Sequence, residues 1–259
     1  MCCVSQSRSG GSSNTQFTLP LILAGTYNAL VKWGDGNEDT ITTYNQAETQ
    51  HTYSSSGTYT VKISGTCRGW SFNSTTNDKD PQKVTLISNW GDFQPTAADV
   101  LSGCSNMDVT ATDAIDLTQT TTLESFFEGC SSLGSSADYS GWDTSSITSF
   151  RETFSGCTLF NGDITDWDTS SATTMRAMFL SAAAFNQDIS GWDVSGVTTF
   201  LDMFNVASSF NQGLNSWDVS SATNMQAMFR ASAYNQSLSS WDVSGVTTFA
   251  TKIVTGKHP

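Results

Sequence analysis

Six aspartates recur along this chain at near-constant intervals. Asp116, Asp143, Asp168, Asp193, Asp218 and Asp242 are separated by 27, 25, 25, 25 and 24 residues. If successive segments stack, neighbouring carboxylates lie about 4.8 Å apart, the spacing of paired strands. Two like charges at about 5 Å repel by roughly 0.8 kcal/mol in water and by more near protein. Such a column needs compensation, and two chemistries supply it. Each Asp is followed two positions on by Ser or Thr, so each carboxylate can accept from a following backbone N–H and cap a turn. The rival is a cation such as Ca²⁺ bridging the segments. Turn capping fits better, because the segments lack the dense Asp/Asn/Gly pattern of dedicated calcium loops.

Other candidate residues fall in the same rhythm. Asn161, Asn186, Asn211 and Asn235 form a column suited to pairing loop backbone that would otherwise be orphaned. Trp142, Trp167, Trp192, Trp217 and Trp241 form another. Exposed, they would stack on sugar rings; buried, they would pack the edge of the repeat, which is the favoured reading. Cys104, Cys130 and Cys157 share a column with Ala182, Ala207 and Ser232. A position that takes Cys, Ala or Ser wants a small side chain, so free, buried thiols are expected rather than disulfides. Cys67 has no obvious partner. Asp35 reads as a turn residue with a calcium role as the alternative, and His51 as structural. His258, next to the C-terminus, lacks a catalytic setting. No nucleophile elbow, HExxH or phosphate loop occurs. The expectation is a protein that is not an enzyme, with no catalytic, cofactor-binding or metal residues and no cofactor.

The elements that position these columns follow from the repeat itself. Phe150, Met175, Phe200, Met225 and Phe249 keep step, as do Phe154, Phe179, Phe204 and Phe229, and Phe160, Phe185, Phe210 and Tyr234. Two weaker units precede them, so the stack begins near Trp90. Ile189 to Val194 alternates like a short strand. Met175, Met178, Phe179, Ala182 and Phe185 lie at i, i+3, i+4, i+7 and i+10, one face of a short helix. A strand plus a short helix in each unit predicts an α/β solenoid of leucine-rich-repeat type over residues 90–259. Each buried large apolar side chain contributes roughly 1.5–3 kcal/mol, so several columns make a core without disulfides.

Upstream, residues 1–16 are Ser/Gly/Asn-rich and read as a flexible leader. Residues 17–66 carry strand candidates at Phe17 to Leu23, Leu30 to Trp33, Asp39 to Tyr44 and Thr58 to Ser64, predicting a small all-β, sandwich-like domain. Residues 67–89 read as a connector, with a turn at Asp80-Pro81.

The segment from Phe185 through Asn186-Gln187-Asp188-Ile189-Ser190 and Trp192-Asp193-Val194-Ser195 to Val197-Thr198 resembles the BspA-like leucine-rich-repeat surface-protein family, over about 160 residues. That resemblance implies a surface-displayed repeat protein of the kind linked to adhesion in bacteria and protists, or found among marine phage products. Trp33-Gly34-Asp35-Gly36, His51-Thr52-Tyr53 and Gly57-Thr58-Tyr59-Thr60-Val61 resemble a PKD-type β-sandwich.

Charge narrows the function. The chain carries 24 acids against 11 bases, a net charge of −13. From Ile115 to Ala250 the only bases are Arg151, Arg176 and Arg230. Such a surface repels phosphate backbones and anionic lipid, and no apolar run is long enough to span a membrane. The partners expected are therefore proteins: further copies, a scaffold, or virion or cell-surface proteins rich in Lys or Arg, with glycan as a further ligand class. Residues Met1 to Gly11 lack the apolar core of a secretory signal. A chain without one reaches its site as virion proteins do or has lost the signal; Cys2 and Cys3 raise lipidation as a further route. The location expected is extracellular, on a virion or a cell surface. The role expected is recognition or structure: capsid decoration or fibre, or an adhesin for host protein or glycan, with a carbohydrate-active enzyme or carbohydrate-binding module as the alternative. The last repeat needs cover, so residues 241–259 are expected at a contact with another chain.

Overall fold

The computed structural model describes residues 2–6, 15–72 and 80–248. The expected Phe249, the tail from 250 to His258 and Pro259, and parts of the leader and connector lie outside the described residues. The N-terminal half is built from strands β1 (Cys2–Gln6), β2 (Gln16–Thr18), β3 (Leu21–Lys32), β4 (Glu38–Ile41), β5 (Gln50–Thr52), β6 (Tyr59–Trp70), β7 (Val84–Asn89) and β8 (Asp108–Val109). Six of them make one sheet in the order β4-β3-β6-β1-β7-β8, and β2 pairs with β5 separately. The long strands β3 and β6 alternate inward and outward residues: Ala29, Val31, Val61 and Ile63 are buried, with Val31 opposite Ile63. That alternation fixes their register, since a one-residue slip would turn the apolar set to water.

Two sequence assignments change here. Cys2–Gln6, read as part of a flexible leader, form a strand between β6 and β7. The stretch read as a connector supplies the end of β6 and all of β7. Through β7, which pairs parallel with β8, the sheet runs into the first repeats. A buried ion pair, Lys83 Nζ to Asp80 Oδ2 at 3.0 Å, sits at this passage, and Lys83 also donates to Gln16 O. The buried side chains form one continuous cluster from Phe17 to Tyr234.

The expected α/β solenoid is not found. Among the described residues there is no α-helix, only 3-10 turns at Ala47–Thr49 and Pro81–Lys83, and the sheets do not form a solenoid. Ile189 to Val194 is not a strand but irregular backbone with one turn at Ser190-Gly191, closed by Trp192 N–H donating to Ile189 O. The expected helix is three overlapping turns: Met178 N–H to Met175 O, Leu180 to Ala177 and Ala182 to Phe179, at 3.1–3.2 Å. Ala177 and Ser181 have φ of +51° and +59°, which no α-helix accommodates. The intervening N–H groups reach the next unit instead. Met175, Ala177, Phe179 and Ser181 donate to the carbonyls of Thr199, Leu201, Met203 and Asn205 at 2.8–3.2 Å. Internal turn bonds and bonds to the next unit thus alternate along the segment. Between units the β-pairing reduces to single parallel bridges along Thr122, Ser149, Thr174, Thr199, Asn224 and Thr248.

The stacked turns carry the apolar columns inward. Phe154, Phe179, Phe204 and Phe229 are buried, and neighbouring rings lie 5.6–5.7 Å apart and within 8° of parallel. Phe160, Phe185 and Phe210 form a second file beside them, 3.8–3.9 Å from the first.

Candidate functional site

What the repeats offer to solvent is a set of side-chain columns. Along Trp192-Asp193-Val194-Ser195 the backbone alternates inward and outward, so Trp192 and Val194 are buried while Asp193 and Ser195 are exposed. The same alternation places Asp143, Asp168, Asp218 and Asp242 outward. Each caps its own turn. Ser145, Ser170, Ser195, Ser220 and Ser244 N–H donate to the Oδ1 of the preceding Asp at 2.9–3.1 Å. The hydroxyls of Ser145, Ser170 and Ser195 add 2.6–2.7 Å bonds to the same oxygen. These hydroxyl and backbone donors hold the Asp143 and Asp193 carboxyls below the usual range, and for Asp193 they outweigh the repulsion from Asp218. At Asp218 and Asp242 the backbone donor is the leading cause of the same lowering. Asp116 is held by Thr118 and by Gln94 Nε2.

A second acidic column was missed in the sequence. Asp138, Asp163 and Asp188 accept from the N–H groups of Ser140, Thr165 and Ser190 at 2.9–3.0 Å. The signal was present: the same Asp-x-Ser/Thr pattern, at the same 25-residue step. Next to the first column runs a hydroxyl column. Thr148, Thr173, Thr198, Thr223 and Thr247 are exposed, and each Oγ1 donates to a carbonyl one unit earlier at 3.0–3.2 Å.

The few bases of the repeats are engaged elsewhere. Arg151 pairs with Glu124 and Glu152, Arg176 approaches Glu152 at 3.7 Å, and Arg230 Nε donates to Asn205. Among the described residues no ion pair reaches the aspartate columns from Asp138 to Asp242, so their charge faces solvent unopposed. No group of three or more metal-ligating side chains occurs among the described residues.

The remaining candidates are structural in their contacts. Asn161, Asn186 and Asn211 Oδ1 accept from Asn186, Asn211 and Asn235 N–H at 2.9 Å. Trp142, Trp167, Trp192 and Trp217 are buried, and Trp167, Trp192, Trp217 and Trp241 Nε1 donate to carbonyls of the preceding unit at 2.8–3.2 Å. A buried, hydrogen-bonded indole column is packing and presents no face to a sugar. Cys104, Cys130 and Cys157 are free and buried, and burial pushes their thiols up. Cys130 and Cys157 donate to Leu101 O and Phe127 O. Cys67 is also free, its thiol pushed up by burial to about 12.

In the N-terminal half, Trp33, Asp35 and His51 come together. The His51 ring stacks on Trp33 at 4.8 Å and its Nε2 lies 2.8 Å from Asp35 Oδ2. Asn37 donates to Asp35 through its backbone and side chain. Desolvation raises the Asp35 carboxyl, but the bonds from His51 and Asn37 prevail and hold it below its ordinary value. Both carboxylate oxygens of Asp35 are thus engaged at the turn, where Gly34 and Gly36 supply φ of +88° and +97°. A groove lined by Arg68, Asp92, Gln94 and Asp116 lies between β6 and the first repeats.

Stacked 25-residue units with buried Phe and Trp files and outward Asp and Thr columns define a repeat protein of the BspA-like surface class. The family model described as Mycoplasma protein of unknown function, DUF285, matches residues 97–200 and 162–257, and the chain belongs to that family. No curated protein and no solved structure matches it.

Proposed function

We propose that this protein is a surface-displayed, non-enzymatic recognition module whose ligand is a protein surface rich in Lys and Arg, on a host cell or on a particle that carries the chain. The observation that carries this reading is the pair of outward aspartate columns with no cationic partner among the described residues. They are held rigid by turn bonds and repeated at a fixed step. A charge array of this kind steers a basic partner and fixes its register more than it adds affinity. The PKD-type resemblance of the Trp33–Tyr59 region fits a spacer at the base of the array, and membership in a surface-protein family fits display. Adhesin and virion component are two settings for the same face.

The test is binding of the purified chain to intact candidate cells and to a basic protein panel, at rising salt. Expected is an association rate that falls steeply with ionic strength, and that falls again when Asp143, Asp168, Asp193 and Asp218 are changed to Asn together. Immunogold labelling then separates particle from cell surface. Salt-independent binding, or full binding by the fourfold variant, would remove the aspartate face from the function. Selective glycan binding unaffected by that variant would favour the carbohydrate-binding reading.

A further inference from the structure

We infer that the groove between β6 and the first repeats is a binding site for a free α-amino acid with a small side chain, its carboxylate held by Arg68 and its ammonium by Asp92. The site is separate from the aspartate columns and does not depend on their role. Its volume is about 290 Å³, at the lower limit of small-molecule sites. Residues 65–68 of β6 line it, together with Gly91, Asp92, Gln94 and Asp116 of the first repeats. Gly65 and Gly91 place no side chain in it.

Backbone pairing brings the charges together. A parallel bridge joins Arg68 to Gln94. Phe93 is buried, while Asp92 and Gln94 on either side of it line the groove. Asp92 lies two residues from Gln94, at most about 7 Å along the chain, so one small molecule can reach both Arg68 and Asp92. Asp116 is already satisfied: the Thr118 N–H and hydroxyl donate to Oδ1 at 3.0 and 2.6 Å, and Gln94 Nε2 donates to Oδ2. Arg68 and Asp92 are not. Among the described residues neither has an ion pair or a side-chain hydrogen bond, with each other or with any other group. Arg68 is nevertheless half-buried.

A cation and an anion that line one groove without meeting select the occupant. A simple anion would be drawn to Arg68 but repelled by Asp92 and Asp116. A simple cation would be drawn to the carboxylates but repelled by Arg68. A molecule that carries both charges a few atoms apart satisfies the two together. The guanidinium fork takes its carboxylate, and Asp92 accepts from its ammonium. The size of its side chain is set by a recess that adjoins the groove beside Gly65 and Asp92. Ile63, Cys67 and Phe93 also line this recess, whose volume is about 10 Å³. That is about the room of a single water, and against apolar walls a methyl group fills it better.

The test is a titration of the full chain with alanine, read by NMR at the Arg68 Nε–H and the Asp92 backbone N–H. Expected are saturable shifts at both groups. Lactate, with a hydroxyl in place of the ammonium, and ethylamine, without the carboxylate, should each bind at least about tenfold more weakly. Leucine, too large for the recess, should also bind about tenfold more weakly. Arg68→Gln and Asp92→Asn should each weaken alanine about tenfold, and Asp193→Asn, on the aspartate column, should leave it unchanged. Both groove variants should keep the parent Tm, because neither side chain holds a partner in the fold; if one does not, the ligand series on the unaltered chain decides alone. Absence of saturable shifts with alanine would overturn the inference. So would equal binding of lactate, ethylamine or leucine, or unchanged alanine binding by either folded variant.

Discussion

Phe204→Ala tests the stacked core most directly. The ring is fully buried, lies 5.6 Å from both Phe179 and Phe229, and sits 3.9 Å from Phe210. Its backbone N–H bond to Met228 O is untouched by the change, so the loss is that of the side chain alone. Truncating a buried Phe costs about 3–5 kcal/mol in transfer and cavity terms. Aromatic pairs contribute about 0.5–1.5 kcal/mol beyond area, and three pairs vanish here, which places the expected loss near the top of that range. Domains of ordinary stability have about 5–15 kcal/mol in all, so the variant should be close to the edge of folding. Urea unfolding followed by tryptophan fluorescence reads it, because Trp192 and Trp217 lie in adjacent units. In a repeat array the damage can stay local, so a split transition with an early phase counts as the expected result. Leu159→Ala, at a site 60% exposed, is the control and should change stability by about 0.5 kcal/mol or less. A Phe204→Ala loss below about 1 kcal/mol would refute the stacked file, since no buried Phe comes out so cheaply.

Val206 holds φ of +62° in the column where Gly103, Gly129 and Gly156 hold +72° to +77°. Relief of about 1–2 kcal/mol of left-handed strain, less about 0.5–1 kcal/mol of chain entropy, makes Val206→Gly stabilising by about 0.5–1 kcal/mol in the same urea assay; a destabilised variant would contradict the turn geometry. The Asp143, Asp193, Asp218 and Asp242 carboxyls lie below their ordinary value in the folded chain. The unfolded chain therefore binds protons more readily, and their contribution is present above the ordinary value of about 3.9 and lost as pH falls through the folded values. Tm should be flat from about pH 7 to about pH 5 and fall below about pH 4; a decline already under way at pH 6 would point to other groups. Cys104, Cys130 and Cys157 should resist a thiol reagent in the native protein and react fully in denaturant, with no bridge in the unreduced mass spectrum.

The columns were legible in the sequence because a fixed step between units determines which residues become vertical neighbours, whatever path the backbone takes between them. Phe154 meets Phe179, and Asn161 meets Asn186, on that ground alone. The path itself was not legible. Met175, Met178, Phe179 and Ala182 sit at i, i+3, i+4 and i+7 in a helix, and overlapping three-residue turns put the same four inside. Nothing in apolar spacing separates the two. The discriminating signal was the glycine column at Gly103, Gly129 and Gly156, where positive φ is needed and a helix interior would be weakened. Strand β1 was missed for a different reason. Cys3 pairs with Lys62 and Asn89, and pairing over such separations leaves no local mark in a stretch flanked by Ser and Gly.

The repetition of the same bonds between successive units also bears on how long such an array can be. A unit inserted between any two neighbours brings acceptors for the donors below it and donors for the acceptors above it, so both junctions re-form unchanged. The final unit, one residue shorter than those before it, still places Thr248 against Asn224. Duplication or loss of a whole unit leaves the two ends of the molecule chemically as they were. It changes only height, by about 4.8 Å for each unit if the spacing is that of paired strands. Reach is thus an adjustable property of this architecture, set by copy number without redesign of any contact.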